Sequence, residues 1–348
     1  MKIKMRSPKL SELPAPPTGK TGWPWTEESN QLPDTLPDGS AWPKISIVTP
    51  SYNQAHFIEE TIRAVLLQGY PDIEFIIIDG GSKDDTVEII KKYEQFIAFW
   101  VSEKDKGQAD AINKGFARAT GQIFYWTNSD DWPEKNIFGI AAQRFNELPD
   151  VGVLFGNCYF IDENYEILKL RQGYDFNTGD LIELNPIEQN TVFFRSSVWE
   201  NFGRIKESLH FIVDFELWLR WSLKGVKFKY CPEIFAYFRL HQSSKSTQLQ
   251  ITNIRESSNL VIELKNNGTI PAKYYPQITK LFYRLCFASY WTHDPKLFWS
   301  IFFQYIKFSH RPPGPKLLVR ALFSLGGKPV MSLVSKLKPD KGQRNFTS

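Results

Sequence analysis

From residue 45 onward, apolar and polar positions fall into blocks that alternate between two periods. Ile45-Ser46-Ile47-Val48 is a short β-branched run and reads as a buried strand. Ile58, Ile62, Val65 and Leu66 follow at helical spacing and stop at Gly69-Tyr70-Pro71. Phe75–Ile78 reads as a second buried strand, closed by Asp79-Gly80-Gly81-Ser82, and a helix is predicted over Asp84–Tyr93. A strand near Phe99–Val101, a helix near Ala109–Ala119 and a strand at Ile123–Trp126 extend the series. Strands and helices alternating through short loops predict right-handed βαβ units on a parallel sheet. Ligands of such open sheets bind at the carboxyl ends of the strands. The loops Thr49–Asn53, Asp79–Ser82 and Asn128–Asp131 are therefore expected at one rim.

Beyond about residue 150 the pattern changes. Short strands (Val151–Phe155, Thr191–Arg195, Val226–Tyr230, Phe235–Arg239) mix with helices near Ser197–Phe202 and Val213–Lys224, predicting an α+β half that completes the same sheet. From about 250 the chain reads as helical and aromatic-rich. Residues 1–43 are rich in proline, lack sustained periodicity and carry Trp23, Trp25 and Trp42; they read as an irregular extension laid across the body. Three parts are thus expected: 1–43, 44–248 and a helical, basic 249–348.

A length of 348 residues with 42% hydrophobic and 23% charged residues excludes a wholly disordered chain. The net charge of +4 is unevenly spread: Lys296–Ser348 holds ten Lys/Arg and one acid, Asp340, so the rest is mildly acidic. That balance disfavours nucleic acid as a partner. Cys158, Cys231 and Cys286 lie far apart with no CxxC, which points to a reducing compartment. The basic N-terminus lacks the apolar run of a signal peptide, and no stretch reaches spanning length, so a cytoplasmic location is expected. The aromatic, basic tail is expected either to lie on the anionic inner face of a membrane or to pack as a solvated appendage.

Five segments carry candidate chemistry. Thr49-Pro50-Ser51-Tyr52-Asn53 presents backbone groups and an aromatic ring to a flat ligand such as a nucleobase, or is an ordinary turn with Asn53 capping the next helix. Asp79 at a strand end is placed to accept hydrogen bonds from a base or ribose, or closes a glycine turn whose Ser82 and Asp84 cap a helix. Asn128-Ser129-Asp130-Asp131 sets two acids side by side, an arrangement that a divalent cation bridging a diphosphate neutralises. Its alternative is a capping turn before Pro133-Glu134. Asp214 shares a helical face with Trp218 and Trp221 and is a candidate general base or a first-turn Asp favoured by the helix dipole, whereas Glu216 and Arg220 read as a surface pair. His241, within Arg239–Ser246, offers an imidazole to a metal or diphosphate or is an ordinary solvated loop histidine, and Lys106 offers a cation before a helix N-terminus.

Taken in order, ISIVTPSYN (45–53), IIIDGGSKDDT (76–86), DKGQADAINKG (105–115), WTNSDD (126–131), QNTVFFR (189–195), DFELWLR (214–220) and RLHQSSKS (239–246) resemble a family 2 glycosyltransferase over about residues 44–246. The resemblance implies an α/β GT-A fold, a Rossmann-like mixed sheet with flanking helices, here with a C-terminal helical extension. It implies an inverting transferase that moves a sugar from a nucleotide-diphosphate sugar, most often a UDP-sugar, to a carbohydrate or lipid-linked acceptor. Pro50, Tyr52, Asp79, Lys106, Asn128 and Ser129 then face the donor, and Asp130 and His241 hold Mn²⁺ or Mg²⁺. Asp214 is the base, and Trp132, Gln189 and Asn190 face the acceptor. Two positions depart from the family pattern: Asn128 stands for the first acid of the metal motif, and Gly80 for a frequent second acid after Asp79. A non-catalytic nucleotide-sugar-binding protein is the alternative, and a dehydrogenase is disfavoured because no GxGxxG follows the first strand.

Overall fold

A computed structural model of the chain describes residues 5–242, 249–309 and 312–337. The strands are β1 Ile45–Ser51, β2 Ile73–Asp79, β3 Phe99–Ser102, β4 Ile123–Trp126, β5 Trp132–Pro133, β6 Val153–Ile161, β7 Ile167–Arg171, β8 Phe193–Arg195 and β9 Phe228–Arg239. The helices are α1 Ile58–Leu66, α2 Thr86–Lys92, α3 Gln108–Arg118, α4 Ile137–Glu147, α5 Thr178–Glu183, α6 Ser196–Phe202 and α7 Val213–Leu223. They continue with α8 Gln250–Asn266, α9 Tyr275–Trp291, α10 Pro295–Phe308, α11 Pro315–Leu325 and α12 Gly327–Leu337. The chain divides into two compact units. The first holds 1–175, 187–208 and 220–240; the second holds 176–186, 209–219 and 241–348.

The nine strands among the described residues all belong to the first unit and form one mixed sheet in the order β3-β2-β1-β4-β8-β6-β9-β5, with β7 added on β6. β3, β2, β1 and β4 are mutually parallel, as the βαβ pattern predicts. β8 runs antiparallel between β4 and β6, and β7 on β6 and β5 on β9 are antiparallel too, so the sheet is mixed. Alternate residues face opposite sides, so Ile45, Ile47, Phe75 and Ile77 join Ile58, Ile62 and Val65 of α1 and Phe138 of α4 in one core. On the opposite face, Phe116, Phe124, Phe194 and Trp199 pack ring against ring. There α3 lies so close to β1 that a Cβ at Gly115 would stand 2.4 Å from Val48 Cγ1, so only glycine fits.

The proline-rich extension is part of this unit. Leu13, Trp25, Leu36 and Trp42 are buried, and the buried Arg63 of α1 donates to the carbonyls of Pro14, Pro24 and Trp25 and to the Tyr93 hydroxyl. A guanidinium carries five donors, and these partners tie the extension to the back of α1.

Two expectations change. The segments 226–230 and 235–239 are one strand: β9 runs through Pro232 because its pairing with β6 shifts register there. Glu216 is buried rather than a surface residue, and Arg220 donates to the carbonyls of Phe202 and Arg204. In the second unit α5 packs on α9, α9 on α10 and α11, and α11 on α12. Among the described residues no helix is long and apolar enough to cross a membrane, and all three cysteines are free and buried.

Candidate active site

The loops after β1, β2, β3 and β4 gather at the carboxyl ends of the parallel strands, and the first two are stitched by backbone and side-chain bonds. Gly80 N–H donates to Ser51 O (2.8 Å), Asn53 N–H to Ser82 Oγ (2.7 Å), and Lys83 N–H to Asn53 Oδ1 (2.8 Å). Asn53, at φ 52°, thus secures the second loop; it does not cap α1, whose N-cap is Phe57. Beside it Tyr52 stands 59% exposed on the rim.

Asp79 is fully buried. Its Oδ2 accepts from Gly81 N–H (3.1 Å), Ser82 N–H (2.9 Å) and Ser102 Oγ (2.6 Å), and its Oδ1 accepts from Ser82 Oγ (2.5 Å). The carboxylate that the sequence offers to a base therefore shapes the loop that would meet the base. At Gly80 a Cβ would lie 2.8 Å from Asp105 Oδ2, so the Asp105 carboxylate occupies the room that a side chain at 80 would need. Lys106 is exposed before α3, but its backbone N–H is taken by Asp110 Oδ2 (3.0 Å), an acid in the first turn of that helix.

The loop after β4 separates its two acids. Asp131 is buried, and its Oδ1 accepts from Arg239 N–H (3.0 Å), while Thr61 Oγ1 on α1 donates to its carbonyl (2.7 Å). Burial, and then the adjacent Asp130, push its carboxyl well above the usual carboxylate range. Asp130 keeps partial exposure. Asn128 accepts from Gln108 Nε2 (2.6 Å) and donates to Gln189 Oε1 (3.2 Å) and Asp131 Oδ2 (3.4 Å). An amide does both, whereas an ionised carboxylate only accepts. A carboxylate at 128 would place a second charge against Asp131, which accounts physically for this departure from the family pattern. Trp132–Pro133 forms β5 and α4 begins only at Ile137, so this loop is not a capping turn.

Of the three acceptor candidates, Trp132 is 3% exposed, stacked on Tyr237 (5.1 Å) and covered by the Arg239 guanidinium (4.6 Å). Asn190 is buried and donates to Tyr237 O (3.1 Å). Gln189 bridges Asn128 and Trp126 O (2.9 Å). Gln189 thus braces the loop after β4, Asn190 ties its own turn to β9, and Trp132 is packed inside, positions that composition and spacing do not reveal. Sequence reasoning also missed Glu60: its Oε2 accepts from Arg239 Nη2 (2.6 Å) and Tyr165 OH (3.1 Å), with both charged side chains 3% exposed. A charge at a helix position otherwise flanked by core residues was the available signal.

Pro50, Tyr52, Asp79, Lys106, Asn128, Ser129, Asp130, Trp132, Gln189 and Asn190 all belong to the first unit; Asp214 and His241 belong to the second. Asp214 sits in the first turn of α7, after a turn whose His210, Phe211 and Ile212 N–H groups donate to the Glu256 carboxylate. The side chain retains some solvent exposure, yet protein packs around it densely enough that burial lifts its carboxyl to about 6, against the pull of the Phe215 N–H. That is a suitable range for a base working near neutrality. His241 is buried, and the following Ser243–Ser246 lie outside the described residues. Among the described residues no three His, Cys, Asp or Glu side chains cluster to hold a metal. Asp130 alone fits a cation shared with a substrate diphosphate, since Mg²⁺ is commonly held by one or two carboxylates plus phosphates.

A strand-end rim on a mixed sheet, with one outward acid after β4, defines a GT-A type α/β protein. The profile of Glycosyl transferase family 2 matches residues 46–202. An uncharacterized glycosyltransferase of Mycobacterium tuberculosis is 40% identical over 184 residues, 52% of this chain and 70% of the relative. The Escherichia coli UDP-Glc:α-D-GlcNAc-diphosphoundecaprenol β-1,3-glucosyltransferase WfaP is 29% identical over 250 residues, 70% of this chain and 96% of the relative. Among solved structures, the mannosyltransferase PcManGT of Pyrobaculum calidifontis, in complex with GDP-Man and Mn²⁺, superposes with a TM-score of 0.56 at 16% identity, covering 88% of this chain and 91% of that one. The chain belongs to glycosyl transferase family 2 and is a glycosyltransferase.

Proposed function

We propose that the enzyme transfers a sugar from a UDP-sugar to a hydroxyl of a lipid-linked carbohydrate, with inversion at the anomeric carbon. The observation that carries the reading is the division of labour after β4: Asp131 is turned inward onto Arg239 N–H while Asp130 keeps exposure at the rim. Asp130 would hold Mn²⁺ or Mg²⁺ together with the donor diphosphate. When bound, the cation supplies charge neutralisation to the leaving group. The exposed Tyr52 ring and the backbone of Pro50–Asn53 receive the base, and the loop fixed by Asp79 supports them from beneath. Asn128 and Ser129 line the same loop as Asp130. WfaP's printed substrates, UDP-Glc and a diphosphoundecaprenol-linked sugar, support this choice of donor and acceptor class.

Asp214 takes the proton of the acceptor hydroxyl as that oxygen forms its bond to the anomeric carbon. The bond from this carbon to the diphosphate oxygen breaks on the opposite side, and its electron pair leaves with the nucleotide. One base suffices and no protein nucleophile is needed. The test is a panel of UDP-, GDP- and dTDP-sugars offered with a polyprenyl-diphosphate-linked acceptor, with Mn²⁺ or with EDTA, and the product's anomeric configuration read by NMR. Turnover of a UDP-sugar with inversion supports the reading; retention, or turnover undiminished in EDTA, rejects the corresponding part of it.

A further inference from the structure

Eight of the fifteen large apolar side chains exposed among the described residues fall between Phe303 and Leu333, so the exposure is concentrated in the last helices rather than scattered. In α11 the inner face is complete without them: Leu317, Ala321 and Ser324 are the buried positions. At about 100° per residue, Leu318, Leu322 and Leu325 form an outward stripe that Val319 and Phe323 widen on one side, where Lys316 ends the apolar arc, while Arg320 turns back onto the Phe287 ring. Leu322 and Leu325 are 67% and 70% exposed. A helix apolar on two faces has more apolar surface than its own unit covers.

The charge around this stripe selects its occupant. From Pro295 to Pro339 the sequence contains eight Lys/Arg and no Asp or Glu, in a chain whose remainder is net acidic. Lys307, Lys316 and Lys328 are exposed. Self-association through this stripe would bring like-charged segments together. We infer that α10–α12 form a membrane-contact surface, with the outward face of α11 inserted among the headgroups of an anionic phospholipid bilayer and the lysines on the phosphates. These helices are too short to cross, so the contact lies on the surface. The inference concerns lipid binding alone and holds for any donor or acceptor.

Co-sedimentation of the full-length chain with vesicles tests it, comparing phosphatidylcholine alone with phosphatidylcholine carrying about one-third phosphatidylglycerol. Binding to the anionic vesicles is expected to be at least roughly tenfold tighter, and to fall as salt is raised. L322E/L325E should abolish it with an unchanged unfolding midpoint and unchanged transfer to a soluble acceptor analogue, because both side chains are exposed. K316E/K328E should weaken it selectively on anionic vesicles. Equal binding to both vesicle types, binding that survives L322E/L325E, or a monomer that pellets with neither would overturn the inference. So would a dimer in light scattering that L322E/L325E dissolves, since it would assign the stripe to a second copy.

Discussion

The Glu60–Arg239 pair permits the most quantitative prediction. Glu60 Oε2 lies 2.6 Å from Arg239 Nη2 with both side chains buried, and the guanidinium also faces the rings of Phe57 and Trp132. E60Q keeps the shape and one acceptor but leaves a buried cation without its counter-charge. Breaking a buried pair in this way costs roughly 3–5 kcal/mol, and the retained acceptor places E60Q near the lower end. At about 2–4 °C per kcal/mol for a domain of 150–250 residues, the midpoint should fall by about 6–12 °C. Replacing both partners with apolar residues of similar volume, E60L/R239M, should recover most of the loss. Thermal unfolding followed by tryptophan fluorescence reads both variants. A shift under about 2 °C for E60Q, or an E60L/R239M variant less stable than E60Q, would refute the argument that the pair is held by mutual compensation.

Further outcomes follow from the same geometry. The Asp214 carboxyl, lifted to about 6 by burial, must be ionised to act as a base, so kcat/KM should rise about tenfold per pH unit below 6 and level off above it. A profile flat down to pH 5 would remove Asp214 from that role. N128D should destabilise the fold increasingly as pH rises. The Asp131 carboxyl is already raised in the folded state, and a group so raised loses folding stability as pH climbs from the unfolded pKa through the folded one. Urea midpoints at acid and neutral pH read the difference. Y52A should raise the donor KM by about 2–10-fold through a lost stacking partner worth roughly 0.5–1.5 kcal/mol, with little change in kcat.

The parallel half of the sheet was legible because its strands are uninterrupted β-branched runs, such as Phe75–Ile78, and its helices carry a clean 3.6-residue period, as in α1. The rim followed from topology, since loops after parallel strands share an edge. In the sequence β9 reads as two strands because Cys231-Pro232-Glu233 breaks the apolar pattern, and register shifts against β6 that absorb the break leave no trace in composition. Side-chain direction was the least readable property. Nothing local distinguishes Asp131, turned inward onto Arg239 N–H, from its neighbour Asp130. Trp132 and Asn190, expected to face the acceptor, are packed by residues of β9 that lie about 105 and 47 positions along the chain. The burial of Glu60 likewise depends on a partner 179 residues along the chain.

The role given to Asp214 is tested most directly by D214N, with sugar transfer and UDP affinity measured on the same preparation. Loss of roughly 10²–10⁴-fold in turnover with a UDP dissociation constant within about twofold of the parent is the expected result. Transfer by D214N at the parental rate would contradict the account.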